Sequence, residues 1–197
     1  MPYEPLPLAC DPQRLIGLSE RLVVSHYENN YCGAIRRLNL VSEQMRALDW
    51  ATAPPWMVNG MKREQLLTYN SMVLHELYFD ALGEESQPPA ALVAALERDF
   101  GSFARWSAEF TTIGKSMPGT GWALLAYCPR ERRLVNQWAS DHTQALAGCT
   151  PILALDVYEH AYHIDYGAKV PAYVEACMRN IRWDRVAQRL AACSPTT

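Results

Sequence analysis

A chain of 197 residues, 49% hydrophobic and 20% charged, can bury a sizeable core in one domain or two small lobes, and its make-up excludes a disordered or collagenous protein. A formal net charge of −3 gives no broad basic surface for nucleic acid or an anionic membrane, so an anionic substrate has to be guided by local charge. No apolar stretch approaches the roughly 20 residues of a bilayer span, and Met1-Pro2-Tyr3-Glu4-Pro5 lacks the basic-then-apolar layout of a signal peptide, so a soluble, cytoplasmic protein is expected.

Residues 1–14 are proline-rich and read as an extended lead-in crossing a surface before the first helix. From Leu18 to Met45, the apolar positions Leu18, Leu22, Val23, Ile35, Leu38 and Val41 recur at helical intervals, with Arg21, Glu28, Arg36 and Arg37 on the other face. The spacing predicts one long helix with Gly33 as the place for a kink, and puts His26 on or beside the buried stripe. Pro54-Pro55 breaks the pattern and Asn59-Gly60 reads as a turn. A second helix is predicted from about Lys62 to Leu82, with His75 embedded among its apolar residues and Gly83 placed to end it. The two read as an antiparallel hairpin to which each arm contributes one histidine.

Gln87-Pro88-Pro89 marks the expected boundary between a helical domain, 1–87, and an α/β domain, 88–197. Beyond it, Ala90 to Phe100 and Phe103 to Ile113 read as short amphipathic helices, the second capped by Ser102. Trp122 to Tyr127 and Arg133 to Trp138 read as a β-hairpin and Ile152 to Leu155 as a third strand. Pro171 to Met178 and Trp183 to Leu190 close the chain in helices. The fold class is therefore α+β: a long N-terminal helical hairpin, then a lobe with a three-stranded antiparallel sheet flanked by helices. The six cysteines, Cys10, Cys32, Cys128, Cys149, Cys177 and Cys193, are scattered without a CxxC pair. Most read as small buried filler, against a disulfide framework or a cysteine metal site.

Chemistry gathers at Ile152-Leu153-Ala154-Leu155-Asp156-Val157-Tyr158-Glu159-His160-Ala161-Tyr162-His163, where an apolar strand runs straight into acids and an imidazole. Asp156 and His160, four residues apart, can face one point, and carboxylate with imidazole suits iron, manganese or zinc. The local pair alone is common on solvated helix faces. With His26 and His75 from the helical lobe, it becomes three imidazoles and one carboxylate, enough to hold a metal and leave a position open for catalysis.

These residues resemble the iron/manganese superoxide dismutase family. Asp156-Val157-Tyr158-Glu159-His160-Ala161-Tyr162 is similar to the family's signature, with Tyr158 where tryptophan is usual. His26-Tyr27, His75-Glu76-Leu77-Tyr78-Phe79, Gly119-Thr120-Gly121-Trp122 and Asn180-Ile181-Arg182-Trp183 match in the same order, so the resemblance covers nearly the whole chain. It implies one iron or manganese ion per chain, leaning to iron, bound by His26, His75, Asp156 and His160 with a water or hydroxide in the fifth place. It implies superoxide as the small anionic substrate, and Trp122 and Tyr158 as aromatic walls.

The chain resembles an atypical subgroup. Where the family places a glutamine against the metal-bound solvent, the second-helix position is Ser71, which is too short, and the mixed-lobe position is best matched by His142. The family's gateway tyrosine is Ala34 here. The arginine before the proline that follows the signature is replaced by Val170, leaving Lys169 or Tyr31 to line the funnel. The resemblance further implies a homodimer in which Glu159 bonds His160 across subunits, with Asn30 and His163 at the positions of a second polar pair. The altered funnel leaves an alternative open: a metal-binding stress or metal/chromate-resistance homologue with weak or redirected redox activity.

Overall fold

A computed structural model describes residues 1–193. The lead-in is extended and strapped down: the Tyr3 amide and carbonyl both bond the Asn39 side chain, and Tyr27 donates to the Leu6 carbonyl at 2.7 Å. Ser19 caps α1 (Glu20–Ser25) by accepting from the Leu22 amide. The helix continues through a π-helical turn, His26–Tyr31, into α2 (Cys32–Ala47). The irregularity thus falls on the turn that begins at His26, ahead of Gly33, which lies inside α2.

The second arm, α3, spans Pro55–Ala81 and so begins seven residues earlier than expected from Lys62. Pro54-Pro55 starts this helix, because proline at the first helical position gives up an amide that has no partner there anyway. Asn59-Gly60 is helical rather than a turn, and nothing packs within 4 Å of where a Gly60 side chain would stand. Leu82 ends the helix in extended conformation, with Gly83 just outside, bonded to the Asn180 carbonyl at 2.8 Å.

After Pro88-Pro89 come α4 (Ala90–Phe100) and α5 (Phe103–Lys115), the latter capped by Ser102, whose hydroxyl accepts from the Arg105 amide. β1 (Trp122–Cys128) is the centre of a sheet of order β2-β1-β3, antiparallel to both β2 (Arg133–Ala139) and β3 (Thr150–Asp156). Every residue of β1 is buried, whereas β2, on an edge, exposes Arg133 and Trp138. A 3₁₀ turn, Glu159–Ala161, the short α6 (His163–Tyr166), α7 (Val170–Arg179) and α8 (Trp183–Cys193) complete the fold. The core centres on Trp106, Phe110, Trp122, Tyr173, Leu92, Leu96, Leu125 and Leu134, all below 2% exposure.

One expectation fails outright. Cys128 and Cys149 are joined in a disulfide, while Cys10, Cys32, Cys177 and Cys193 are free. The pair was invisible to spacing rules because the bond depends on register: Tyr127 lies opposite Thr150, so the next residue of each strand faces the other. No described helix is long and apolar enough to cross a membrane.

Candidate metal centre

Four elements deliver one candidate ligand each. His26 opens the π-helical turn, His75 sits in the last third of α3, Asp156 is the last residue of β3, and His160 lies in the 3₁₀ turn after it. One ligand atom from each falls within 4.8 Å of all the others. The Nε2 atoms of His26, His160 and His75 stand 3.1, 3.2 and 3.4 Å from the same Asp156 oxygen, Oδ2. His26, His75 and Asp156 are buried, and only His160 keeps partial exposure.

The surroundings orient each ligand. Asp156 Oδ1 accepts the Tyr158 amide at 2.9 Å, and the Asp156 carbonyl accepts the Tyr173 hydroxyl at 2.7 Å, which fixes the carboxylate from both ends. His75 Nδ1–H donates to the Ser71 carbonyl one helical turn back, at 2.6 Å. That bond settles the tautomer, leaving Nε2 with a bare lone pair, and this atom is buried without any hydrogen-bond partner among the described residues. A fully buried acceptor with no donor is costly. A cation among three nitrogens and a carboxylate oxygen removes that cost, so the donor set fits a first-row transition ion.

Electrostatics agree. Burial would raise the Asp156 carboxyl, but the charge and hydrogen bonds of His160 and His26 outweigh it and hold the group well below the usual carboxylate range. Burial lowers His26 against the pull of Asp156. It lowers His75 to about 3, helped by His26. Both imidazoles are neutral near pH 7, the form that binds a metal.

Aromatic groups wall the centre. Phe79 and Tyr78 stand 4.9 and 5.2 Å from the His26 ring, and Trp122 meets the His75 ring edge-on at 5.3 Å. Tyr158 is stacked between His160 at 5.3 Å and His142 at 4.7 Å. Trp122 Nε1–H donates to His142 Nδ1 at 2.9 Å. Since an indole only donates, neutral His142 carries its hydrogen on Nε2. Burial lowers the His142 pKa, with Asp156 opposing.

Of the other anticipated groups, Tyr31 stands against the centre, its ring centroid 6.3 Å from that of His75. The Tyr31 hydroxyl accepts the Leu6 amide at 2.8 Å and donates to Glu76 at 3.1 Å, so it is already engaged. Lys169 is exposed at the cap of α7. Glu159 and His163 are exposed and Asn30 is partly so. Sequence reasoning missed three supports: the Ser71 carbonyl, the Tyr173 hydroxyl and Asn70, whose side-chain amide donates to the His142 carbonyl at 2.6 Å. Their partners are separated in sequence or are backbone atoms, and no residue pattern in the sequence singles them out.

A buried mononuclear site of three histidines and an aspartate, bridging a helical hairpin and an antiparallel sheet, defines an α+β metalloprotein with a redox-capable donor set. Comparison with known proteins narrows the class. Residues 88–189 match the family model described as iron/manganese superoxide dismutases, C-terminal domain. The chain is 60% identical to an iron superoxide dismutase of Cupriavidus metallidurans, over 98% of each chain. It is 33% identical to an iron superoxide dismutase of Aquifex pyrophilus, covering 90% of this chain and 86% of that one. It is also 33% identical to a manganese superoxide dismutase of Halobacterium salinarum, covering 86% and 85%. The chain belongs to the iron/manganese superoxide dismutase family.

Proposed function

We infer that the chain dismutes superoxide to dioxygen and hydrogen peroxide at a single redox metal ion held by His26, His75, Asp156 and His160. The observation that carries this is the buried Nε2 of His75, which has no hydrogen-bond partner among the described residues and faces the other three candidate ligand atoms. Iron is favoured because the relative sharing 60% identity is an iron enzyme. A bound ion of this kind supplies one-electron exchange with superoxide in both directions. The protein's own part is to keep the imidazoles neutral, to hold Asp156 ionised, and to offer a hydrogen-bond donor beside the centre. That donor is His142 Nε2–H, and the Trp122 indole keeps it in this tautomer. Tyr158, stacked on both His142 and His160, limits the space for water and substrate. Elemental analysis beside a dismutation assay tests the reading: about one iron per chain with fast turnover is expected, and a chain that takes up no metal would sink it.

Slow turnover by the metal-loaded chain is a second reading, favoured by one specific observation. Neither group able to stand in for the absent gateway tyrosine and arginine is free at the centre, since Tyr31 is engaged by Leu6 and Glu76 and Lys169 is exposed. Stoichiometric metal with little activity is the result that would select it. The exposed Glu159 beside the part-exposed His160 supports a homodimer in which the carboxylate of one subunit bonds the imidazole of the other. Asn30 and His163 are proposed as a second polar pair at the same interface. A cytoplasmic location completes the proposal, since four free thiols suit a reducing compartment.

A further inference from the structure

The disulfide lies outside the metal centre, and the proposed reaction does not use it. It joins the end of β1 to the residue before β3, and the segment it closes, residues 129–148, contains β2 and His142. Between Ala139 and Cys149 the chain forms no helix or strand. That stretch is held by its own turns, by Asn70 at the His142 carbonyl, by Trp122 at the His142 ring, and by the disulfide at its foot. Covalent closure at Cys149 therefore bears directly on the residue that offers a donor to the centre.

The two sulfurs are unequal. Cys128 is 4% exposed within the fully buried strand β1, whereas Cys149 is partly exposed between the exposed Gly148 and Thr150. Reagents from solvent meet Cys149 first. The turn and strand start that follow Cys128 carry Arg130, Arg132 and Arg133 against one acid, Glu131. Of six cysteines these two alone, among the described residues, are bonded.

We propose that Cys128 and Cys149 are a peroxide-responsive dithiol, closed by hydrogen peroxide and reopened by a dithiol reductant, which holds or releases the segment bearing His142. The inference builds on the proposed reaction, whose product is the oxidant. The Cys149 thiolate attacks one peroxide oxygen, breaking the O–O bond to give a sulfenic acid and hydroxide. The Cys128 thiol then attacks that sulfur, forming the S–S bond and expelling the second oxygen as water after proton transfer. The net change is two thiols and one peroxide to one disulfide and two waters, with two electrons passing from sulfur to oxygen. In reverse, a dithiol's thiolate attacks Cys149, and its second thiol resolves the mixed disulfide, restoring both cysteines.

The test treats the full-length, metal-loaded chain with dithiothreitol, removes the reductant, adds hydrogen peroxide, and counts alkylated thiols by peptide mass. Six alkylated cysteines are expected after reduction and four after peroxide, with the 128/149 pair reacting roughly tenfold faster than any other thiol. Hydrogen exchange over residues 140–149 should slow by about tenfold on closure, and Tm should rise by roughly 5–10 °C for a loop of this size. Cys149→Ser and, independently, Cys128→Ser should retain metal and lose the peroxide response of the exchange. A pair that dithiothreitol cannot open in the native chain would overturn the proposal, as would oxidation no faster than at Cys10, Cys32 or Cys193. Unchanged exchange over 140–149 would overturn the link to His142. Because the peroxide is added, these results stand apart from the dismutation reading, which fails only if the chain lacks metal or activity.

Discussion

At the scale of single residues, the centre is a set of groups whose costs cancel only together. Removing the His75 ring by His75→Ala takes away one of four donors from a rigid, buried site, so metal retained after purification should fall from about one per chain to near zero. Retained stoichiometric metal in that variant would refute the ligand assignment. Trp122→Phe removes the only donor to His142 Nδ1 among the described residues and frees the ring to exchange tautomers. Turnover should drop by about 10–100-fold with metal content unchanged, measured by dismutation rate and elemental analysis on one sample. The metal-free chain should also be acid-sensitive in a defined window. His75 titrates near 3 when folded and near 6.5 when unfolded, so between those values the unfolded chain binds the extra proton. Stability then falls with pH, by about 1.4 kcal/mol per unit for this residue. His26 and His142, also lowered, act in the same direction. Asp156 joins only below about pH 4, where the unfolded carboxyl protonates and the folded one does not. Urea midpoints between pH 7 and 4 check this; a flat profile would contradict it.

At the scale of elements, the turn into β1 bears most on the geometry. Gly121 has φ +125°, and a Cβ there would clash with the Ala139 carbonyl, while its own carbonyl accepts the Val157 amide at 3.0 Å. Its neighbour Trp122 pairs with Asp156 across the sheet. Gly121→Ala should therefore cost about 2–4 kcal/mol and disturb metal retention, since the displaced strand carries the Trp122 wall and pairs with Asp156 on β3. Leu96→Ala, in the core of α4 at 0% exposure, should cost roughly 2–5 kcal/mol, the usual cost of a buried cavity, yet leave the metal in place. Comparing the two in urea titrations with metal analysis separates general stability from site geometry. The elements themselves were largely legible, because periodicity and caps such as Ser102 act locally. Pro55 and Gly60 were misread as breakers because both rules depend on context: proline is harmless at a helix start, and an exposed glycine within a long helix is only mildly unfavourable.

At the scale of the whole molecule, the ends of the chain lock the two arms around the sheet. The buried Asn180 side chain bonds both the amide and the carbonyl of Ile16, 164 residues away. Asp80 of α3 pairs with Arg185 and Arg189 of α8. These ties keep His26 and His75 in register with Asp156 and His160. The centre is nonetheless open on one side, where His160 and Glu159 reach the surface. If the proposed homodimer forms through Glu159, then Glu159→Ala should shift the sedimenting species toward monomer and lower metal content in parallel; sedimentation and metal content equal to those of the unaltered chain would remove Glu159 from the proposed interface.

The sequence alone determined which candidate ligands exist and on which kinds of element they ride. Helical and strand periods, and a signature running from Asp156 to Tyr162, are written in neighbouring residues, and the physics behind them is local. Tertiary structure decided the rest. Whether four donors meet at one point, which nitrogen of His75 and His142 carries hydrogen, that Tyr31 is taken up by Glu76, and that Cys128 meets Cys149 all depend on packing between segments far apart in the chain. Contacts of that kind are set by strand register and by helix docking against the sheet, and no rule of residue spacing encodes them.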